Sequence, residues 1–315
     1  MLADFFSILL KEGLGSAYER NHVMKVLVAT DGSKYGGWSL NWVAKLPFVE
    51  PPTVMALHVL DNAKLLLPFR TKLETQRVEA HAARALKEIT KQLRLLKLDG
   101  AARKEQGAVS QTILKRAPKR DGLLVVGSQG LDALDRFLLG SVSTKLIQHA
   151  TCPVLVVKGE APPLRRIILA TDGSEASAKA LKFVLSKFQP DRSISKGRRV
   201  PIHVTVVHVI APRPLAPIDV GTTIPWIKQR GLKVKETGRR LVEQSAQKLI
   251  EAGFMAEAFC RLGNPAEKIM KVASQQHADL IMMGAKGLAS VDRFLLGSVS
   301  TRVVQHAHCA VLVVR

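Results

Sequence analysis

Two short patterns in this chain combine residue types that could do chemistry, and the first is suited to holding phosphate. Gly127-x-x-Gly130 is followed, after nine residues, by Gly140-Ser141-Val142-Ser143, and the same spacing returns as Gly284-x-x-Gly287 and Gly297-Ser298-Val299-Ser300. Glycine lets a backbone approach a ligand closely and adopt conformations closed to other residues. The stretch after Gly140, SVSTKLIQHA, is helix-forming, which puts Ser141, Val142 and Ser143 in a first turn. The N–H groups of a first turn have no intrahelical partner, and the helix dipole there favours an anion. The hydroxyls of Ser141 and Ser143 can add donors. The second pattern, Ala-Thr-Asp-Gly-Ser, occurs at 29–33 and 170–174.

The elements that must position these residues follow from an internal repeat. DRFLLGSVST occupies 135–144 and again 292–301, an offset of 157, whereas the Ala-Thr-Asp-Gly-Ser motifs are offset by 141. The difference locates two insertions in the second copy: the polar QPDRSISKGRR (189–199), read as a loop, and the Pro-rich APRPLAPIDVGTTIP (211–225), read as an extended segment. In the first copy, β-branched runs predict strands at 24–30, 54–59, 102–107, 122–127 and 153–157, with a long helix over 70–98. The second copy repeats them at 166–171, 202–210, 254–260, 280–284 and 310–314. Strands alternating with helices predict an α/β fold: two doubly wound five-stranded parallel sheets of order 3-2-1-4-5. In that order the motifs meet. Ligands of doubly wound sheets bind at the carboxyl ends of the strands where the winding reverses. Ala29-Thr30-Asp31 and Gly127-x-x-Gly130 end the two strands there, as do Ala170-Thr171-Asp172 and Gly284-x-x-Gly287.

The two domains are expected at 22–158 and 164–315, preceded by a helical extension at 1–21 and joined by Gly159–Pro163. The apolar opening MLADFFSILL, ten residues followed by Lys11-Glu12, is too short to span a membrane. It reads as an amphipathic helix on the first domain, with a partner-binding or membrane-surface segment as the alternative. Three cysteines (152, 260 and 309) without metal-like spacing favour a reducing compartment, hence the cytoplasm. The net charge of +21 is shared by both halves, and it biases the surface toward anions without naming one.

With Leu-His-Val at 57–59 and Pro-Val-Leu-Val-Val at 153–157, the ordered set of motifs resembles the ATP-binding branch of the universal stress protein family, in tandem form. The resemblance implies an adenine nucleotide alpha-hydrolase-like fold, with the two domains paired through their last strands as a pseudo-twofold pair. It implies ATP, or ADP or AMP, at the loops described, with Mg²⁺ or Mn²⁺ admitted beside the phosphates. Asp31 and Asp172 would sit at ribose or at that metal, and Val59 and Val209 would line the adenine pocket. Val126, Gly127, Gly130, Met283, Gly284 and Gly287 would approach ribose and phosphates. Gly140–Ser143 and Gly297–Ser300 would hold the phosphate chain. The copies also differ. Gly263-Asn-Pro-Ala follows the third strand of the second copy, where the first has Gly107-Ala-Val-Ser, and Asp279 is matched by Gly122.

Structural readings stand beside these functional ones. Asp31 and Asp172 can shape a turn and cap a helix. His58 and His208 read as buried structural histidines, Cys152 and Cys309 as small core residues, and Arg136 and Arg293 as solvated loop residues. Lys286 can go either way, and the serine pairs can be N-caps. No P-loop and no nucleophile turn occurs in the sequence. The favoured function is therefore a nucleotide-binding stress-response sensor or regulator with at most slow ATPase activity, acting on an unidentified protein partner, with homodimerisation of the paired chain allowed. The alternative is a basic nucleic-acid-binding or interaction scaffold.

Overall fold

The computed structural model describes residues 23–61, 71–119, 121–129, 139–191, 193–195, 198–212, 224–287 and 296–315. The expected helix at 1–21, Gly130, Arg136, Arg293 and most of the Pro-rich segment lie outside them.

The first copy runs β1 (Lys25–Ala29), α1 (Lys34–Lys45), β2 (Thr53–Asp61), α2 (Lys72–Leu95), β3 (Gly100–Gly107), α3 (Val109–Arg116), β4 (Leu123–Gly127), α4 (Ser141–His149) and β5 (Val154–Val157). The second runs β6 (Arg166–Ala170), α5 (Glu175–Lys187), β7 (Ser193–Ser195), β8 (Arg198–Val200), β9 (His203–Ile210), α6 (Ile224–Glu251), β10 (Met255–Leu262), α7 (Pro265–Gln275), β11 (Leu280–Gly284), α8 (Ser298–His306) and β12 (Ala310–Val314). The insertion at 189–199, read from sequence as a loop, contains the short antiparallel pair β7–β8. Helix α6 already begins at Ile224-Pro225, inside the segment expected to be extended. Proline is tolerated in a first helical turn because its missing N–H would have no intrahelical partner there.

Within each copy the strands are parallel in the expected order, β3-β2-β1-β4-β5 and β10-β9-β6-β11-β12. The central residues of the inner strands are largely apolar because helices cover both of their faces. Val26, Val28, Val125 and Leu155 face α1 and α2, in one core that continues through Leu312, Met282 and Ile167 to α5 and α6. Leu27, Val126, Val154 and Val156 face α3 and α4, in a second core that continues to α7 and α8.

The copies join through their last strands. Strand β12 pairs antiparallel with β5, placing Val311 opposite Val156, Leu312 opposite Leu155 and Val313 opposite Val154, so that ten strands form one sheet. A second bridge sits outside the sheet. Phe48 pairs with Phe188, the Val49 N–H donates to the Lys187 carbonyl at 2.9 Å, and the Gln189 N–H donates to the Pro47 carbonyl at 2.7 Å. A third link is electrostatic. The Lys158 ammonium donates to the Gln305 and Ala307 carbonyls (3.1 and 2.7 Å), and the Arg315 guanidinium donates to Ile147 and Gln148. Each cation follows the last strand of one copy and meets the carboxyl end of the other copy's last helix, where the helix dipole is negative. Burial lowers the Lys158 ammonium to about 8. The joint itself is packed: Ala161 and Leu164 are buried, and the Trp42 indole donates to Gly159 at 3.0 Å.

The differences between the copies have local causes. Asn264 caps α7 by accepting the Glu267 N–H at 3.3 Å, whereas α3 has Ala108 at its N-cap and no side-chain bond. Asp279 accepts the Arg165 and Arg166 N–H groups at 2.7 and 2.9 Å. At the matching Gly122, a Cβ would lie 2.6 Å from the Lys25 carbonyl and nearer still to Pro118, so no side chain fits.

Because both cores cross the junction, the two copies should unfold together. Leu312→Ala removes a fully buried side chain in the second copy at a cost of about 2–5 kcal/mol. In a Trp226→Phe background, the urea transition followed through Trp38 and Trp42 of the first copy should shift down with it. An unchanged midpoint would mean that the copies are energetically separate.

Candidate nucleotide site

The crevice forms where α1, after β1, covers one face of the sheet and α4, after β4, covers the other. This is the switch point of the winding. In the first copy it opens into a cavity of about 710 Å³. Its walls include Ala29, Thr30 and Asp31 from the end of β1, Val59 from β2, Val126 and Gly127 from β4, and Gly140, Ser141, Val142 and Ser143 from the start of α4. Every first-copy residue predicted from sequence lines it, apart from Gly130, which lies outside the described residues. In the second copy, Ala170, Thr171 and Asp172 end β6, Val209 lies near the end of β9, and Met283 and Gly284 end β11. Gly287 follows, and Gly297, Ser298, Val299 and Ser300 start α8.

Each residue at the crevice has a local reason for its position. The Asp31 carboxylate accepts the Ser33 N–H at 2.9 Å, and Asp172 accepts the N–H and O–H of Ser174 at 3.0 and 2.6 Å. Gly32 and Gly173 turn the chain between them at φ +82° and +80°, a region that disfavours a side chain. Thr30 accepts the Gly32 N–H, and its hydroxyl lies 1.9 Å from where a Cβ on Gly36 would be, so α1 can touch the end of β1 only through glycine.

The repeated spacing of the glycines covers two different needs. A Cβ on Gly127 would lie 2.7 Å from the Tyr35 Cβ, and one on Gly284 would lie 2.5 Å from the Ala176 carbonyl carbon. These two glycines let α1 and α5 pack against the ends of β4 and β11, independently of any ligand. A Cβ on Gly287 would press on the Asp172 carboxylate at 2.5 Å, whereas one on Gly140 would meet nothing nearer than 3.5 Å. A Cβ there would make only ordinary van der Waals contact with the Ser128 carbonyl, and the start of α4 is exposed at Ser141.

The paired serines also divide their roles. The Ser143 hydroxyl donates to the Gly127 carbonyl at 2.7 Å and Ser300 donates to Gly284 at 2.9 Å, tying each helix start to its strand. Those hydroxyl protons are committed, which removes Ser143 from the expected side-chain donors. Ser141 and Ser298 are exposed. The first intrahelical bonds run from Thr144 to Gly140 and from Thr301 to Gly297, both 2.9 Å, so the N–H groups of Ser141–Ser143 and Ser298–Ser300 stand at the helix ends.

His58 and His208 place Nδ1 3.1 and 2.9 Å from the Thr30 and Thr171 carbonyls, which requires the proton on Nδ1. Both brace the crevice wall. Burial, the largest influence, lowers the His58 imidazole below its usual range. Sequence reasoning missed Tyr35, Arg77, His81 and Gln129, which also line the cavity. Arg77 and His81 are four apart on α2, whose start is fixed by a capping box between Thr71 and Glu74. That spacing was the available signal.

Each copy is thus a doubly wound α/β sheet with the predicted motifs at its switch point, and in the first copy they line a ligand-sized crevice. A sequence model of the universal stress protein family matches residues 22–158 and 163–315. A universal stress protein of Mycolicibacterium smegmatis is 30% identical over 307 residues, spanning 92% of this chain and 96% of that protein. One from Bacillus subtilis is 28% identical over 155 residues, covering 48% of this chain and 98% of its own length. The crystal structure of a universal stress protein from Archaeoglobus fulgidus superposes with a TM-score of 0.63 at 19% identity, over 92% of this chain and 98% of that one. The chain belongs to the universal stress protein family and carries two of its domains in tandem.

The neutral state of His58 has a measurable consequence. Its folded pKa is lowered, so between that value and about 6.5 the unfolded chain binds a proton that the native one does not. Its contribution is complete above the unfolded value and is lost as pH falls through the folded one. Relative to wild type, His58→Gln should lose less stability between about pH 7.5 and pH 5.5. Identical losses would show that this histidine is not buried neutral.

Proposed function

We propose that both crevices bind adenine nucleotide, ATP first and ADP or AMP as alternatives, and that the protein signals occupancy rather than turning the nucleotide over. The observation that carries this reading is the start of α4, exposed at Ser141 and with its N–H groups unbonded within the helix, at a cavity with apolar Val59 and Val126 in its walls. A helix start favours phosphate oxygens, and an apolar wall suits a base. Among the described residues no cluster of three or more potential metal ligands occurs. A Mg²⁺ or Mn²⁺ ion would therefore be held mainly by phosphate oxygens, with Asp31 or Asp172 adding a carboxylate. His58 lines the cavity, but burial, outweighing the opposing bond to the Thr30 carbonyl, makes it a weak base. The cysteines suit a reducing cytoplasm. Burial raises the Cys152 and Cys309 thiols to about 11 and about 12, so neither is a ready nucleophile. Among the described residues no helix is long and apolar enough to cross a membrane.

Calorimetry should find about two ATP sites per chain with micromolar affinity, on the order of −8 kcal/mol each. Ser141→Glu and Ser298→Glu put a carboxylate where phosphate would sit, yet a negative charge in a first turn favours the helix. Each should remove one site without loss of thermal stability, and two sites surviving in the double variant would overturn the reading. Single-turnover ATP hydrolysis with Mg²⁺ should run far below the ~1–100 s⁻¹ of kinases. Turnover at several per second would make the protein an ATPase.

A further inference from the structure

Among the differences between the two crevices, one pair of contacting positions stands out. In the first copy the Tyr35 hydroxyl donates to the Gln129 side-chain oxygen at 2.9 Å, and Gln129 is buried. The repeat places Ala176 and Lys286 at these positions in the second copy. Ala176 has no group that could replace the tyrosine. Lys286 is only half-buried as a residue, yet its Nζ is shut off from solvent and has no hydrogen-bond partner.

That is the reverse of how a lysine ordinarily behaves, with the stem covered and the charge in water. An ammonium held out of water without an anion is costly. The Lys286 backbone lies between the two halves of the site. Its carbonyl accepts the Ser174 hydroxyl at 3.3 Å, and its Cα lies 3.5 Å from where a Cβ on Gly297, the N-cap of α8, would be. Arg77, which lines the first cavity, does not offset the difference, because the repeat places Lys233 at its position in the second copy.

We propose that Lys286 makes the second crevice selective for the more highly phosphorylated nucleotide, while the first, with Gln129 bonded to Tyr35, binds with little dependence on phosphate number. This rests on the reading that both crevices hold adenine nucleotide. The protein would then respond to total adenine nucleotide at one site and to its phosphorylation state at the other.

The test uses full-length chains carrying one site each. Ser141→Glu leaves the second crevice and Ser298→Glu leaves the first, and each is titrated with ATP and with AMP. The ATP-over-AMP preference should be at least about tenfold larger in the chain that keeps the second crevice, as expected for a charge-assisted bond to phosphate. In that chain, Lys286→Gln should abolish the excess by weakening ATP while AMP stays within about twofold, and Lys286→Arg should retain it. In the chain that keeps the first crevice, Gln129→Lys should create an ATP preference. Equal preferences in the two single-site chains, or a Lys286→Gln chain that still favours ATP as wild type does, would overturn the assignment of Lys286 alone. Failure of both single-site chains to bind any nucleotide would overturn the nucleotide reading itself.

Discussion

The antiparallel meeting of β5 and β12 is the constraint on which the rest of the molecule depends. Both strands are apolar along their whole length, and alone each would end a five-stranded sheet in a row of unpaired backbone groups, an invitation to aggregation. Paired, they satisfy one another and set Leu155 against Leu312. The two cores then have no boundary at the junction. The Phe48–Phe188 bridge and the reciprocal reach of Lys158 and Arg315 reinforce the same axis from outside the sheet.

The crevices inherit their shape from this arrangement. Fixed central strands let α1 and α5 press against the strand ends so closely that Gly36, Gly127 and Gly284 admit no side chain. Ser143 and Ser300 then bind the starts of α4 and α8 to the same ends. The geometry at the helix starts is set by packing before any ligand arrives. Preorganisation of that kind lowers the entropic cost of binding.

Much of this was legible in the residues. The repeat and the alternation of strands and helices follow from β-branched runs and two offsets, and the order 3-2-1-4-5 enters as the doubly wound arrangement that brings the motifs together. The paired last strands followed from the family resemblance and from the likeness of VLVV at 154–157 and 311–314. Other features were hidden because they depend on distances between remote residues. The sequence cannot say that Gly127 is glycine because of Tyr35, or that the Ser143 hydroxyl turns inward to a carbonyl. Nor does it show Arg77 and His81 at the cavity, since a helix face becomes a wall only once its packing is known. The insertion at 189–199 looked irregular because its polar residues lack the alternation of a half-buried strand, yet two three-residue strands pair within it.

The antiparallel junction also fixes where the crevices face. All strands of one copy run parallel, so their carboxyl ends emerge at one side of the sheet, and those of the other copy emerge at the opposite side. Strands β1 and β6 are separated by five strand spacings, about 24 Å along the sheet, well beyond a Debye length of about 8 Å. The two crevices therefore open at opposite edges of one continuous sheet, offset from each other across it. Any influence of one crevice on the other has to travel through the valine and leucine layers between them.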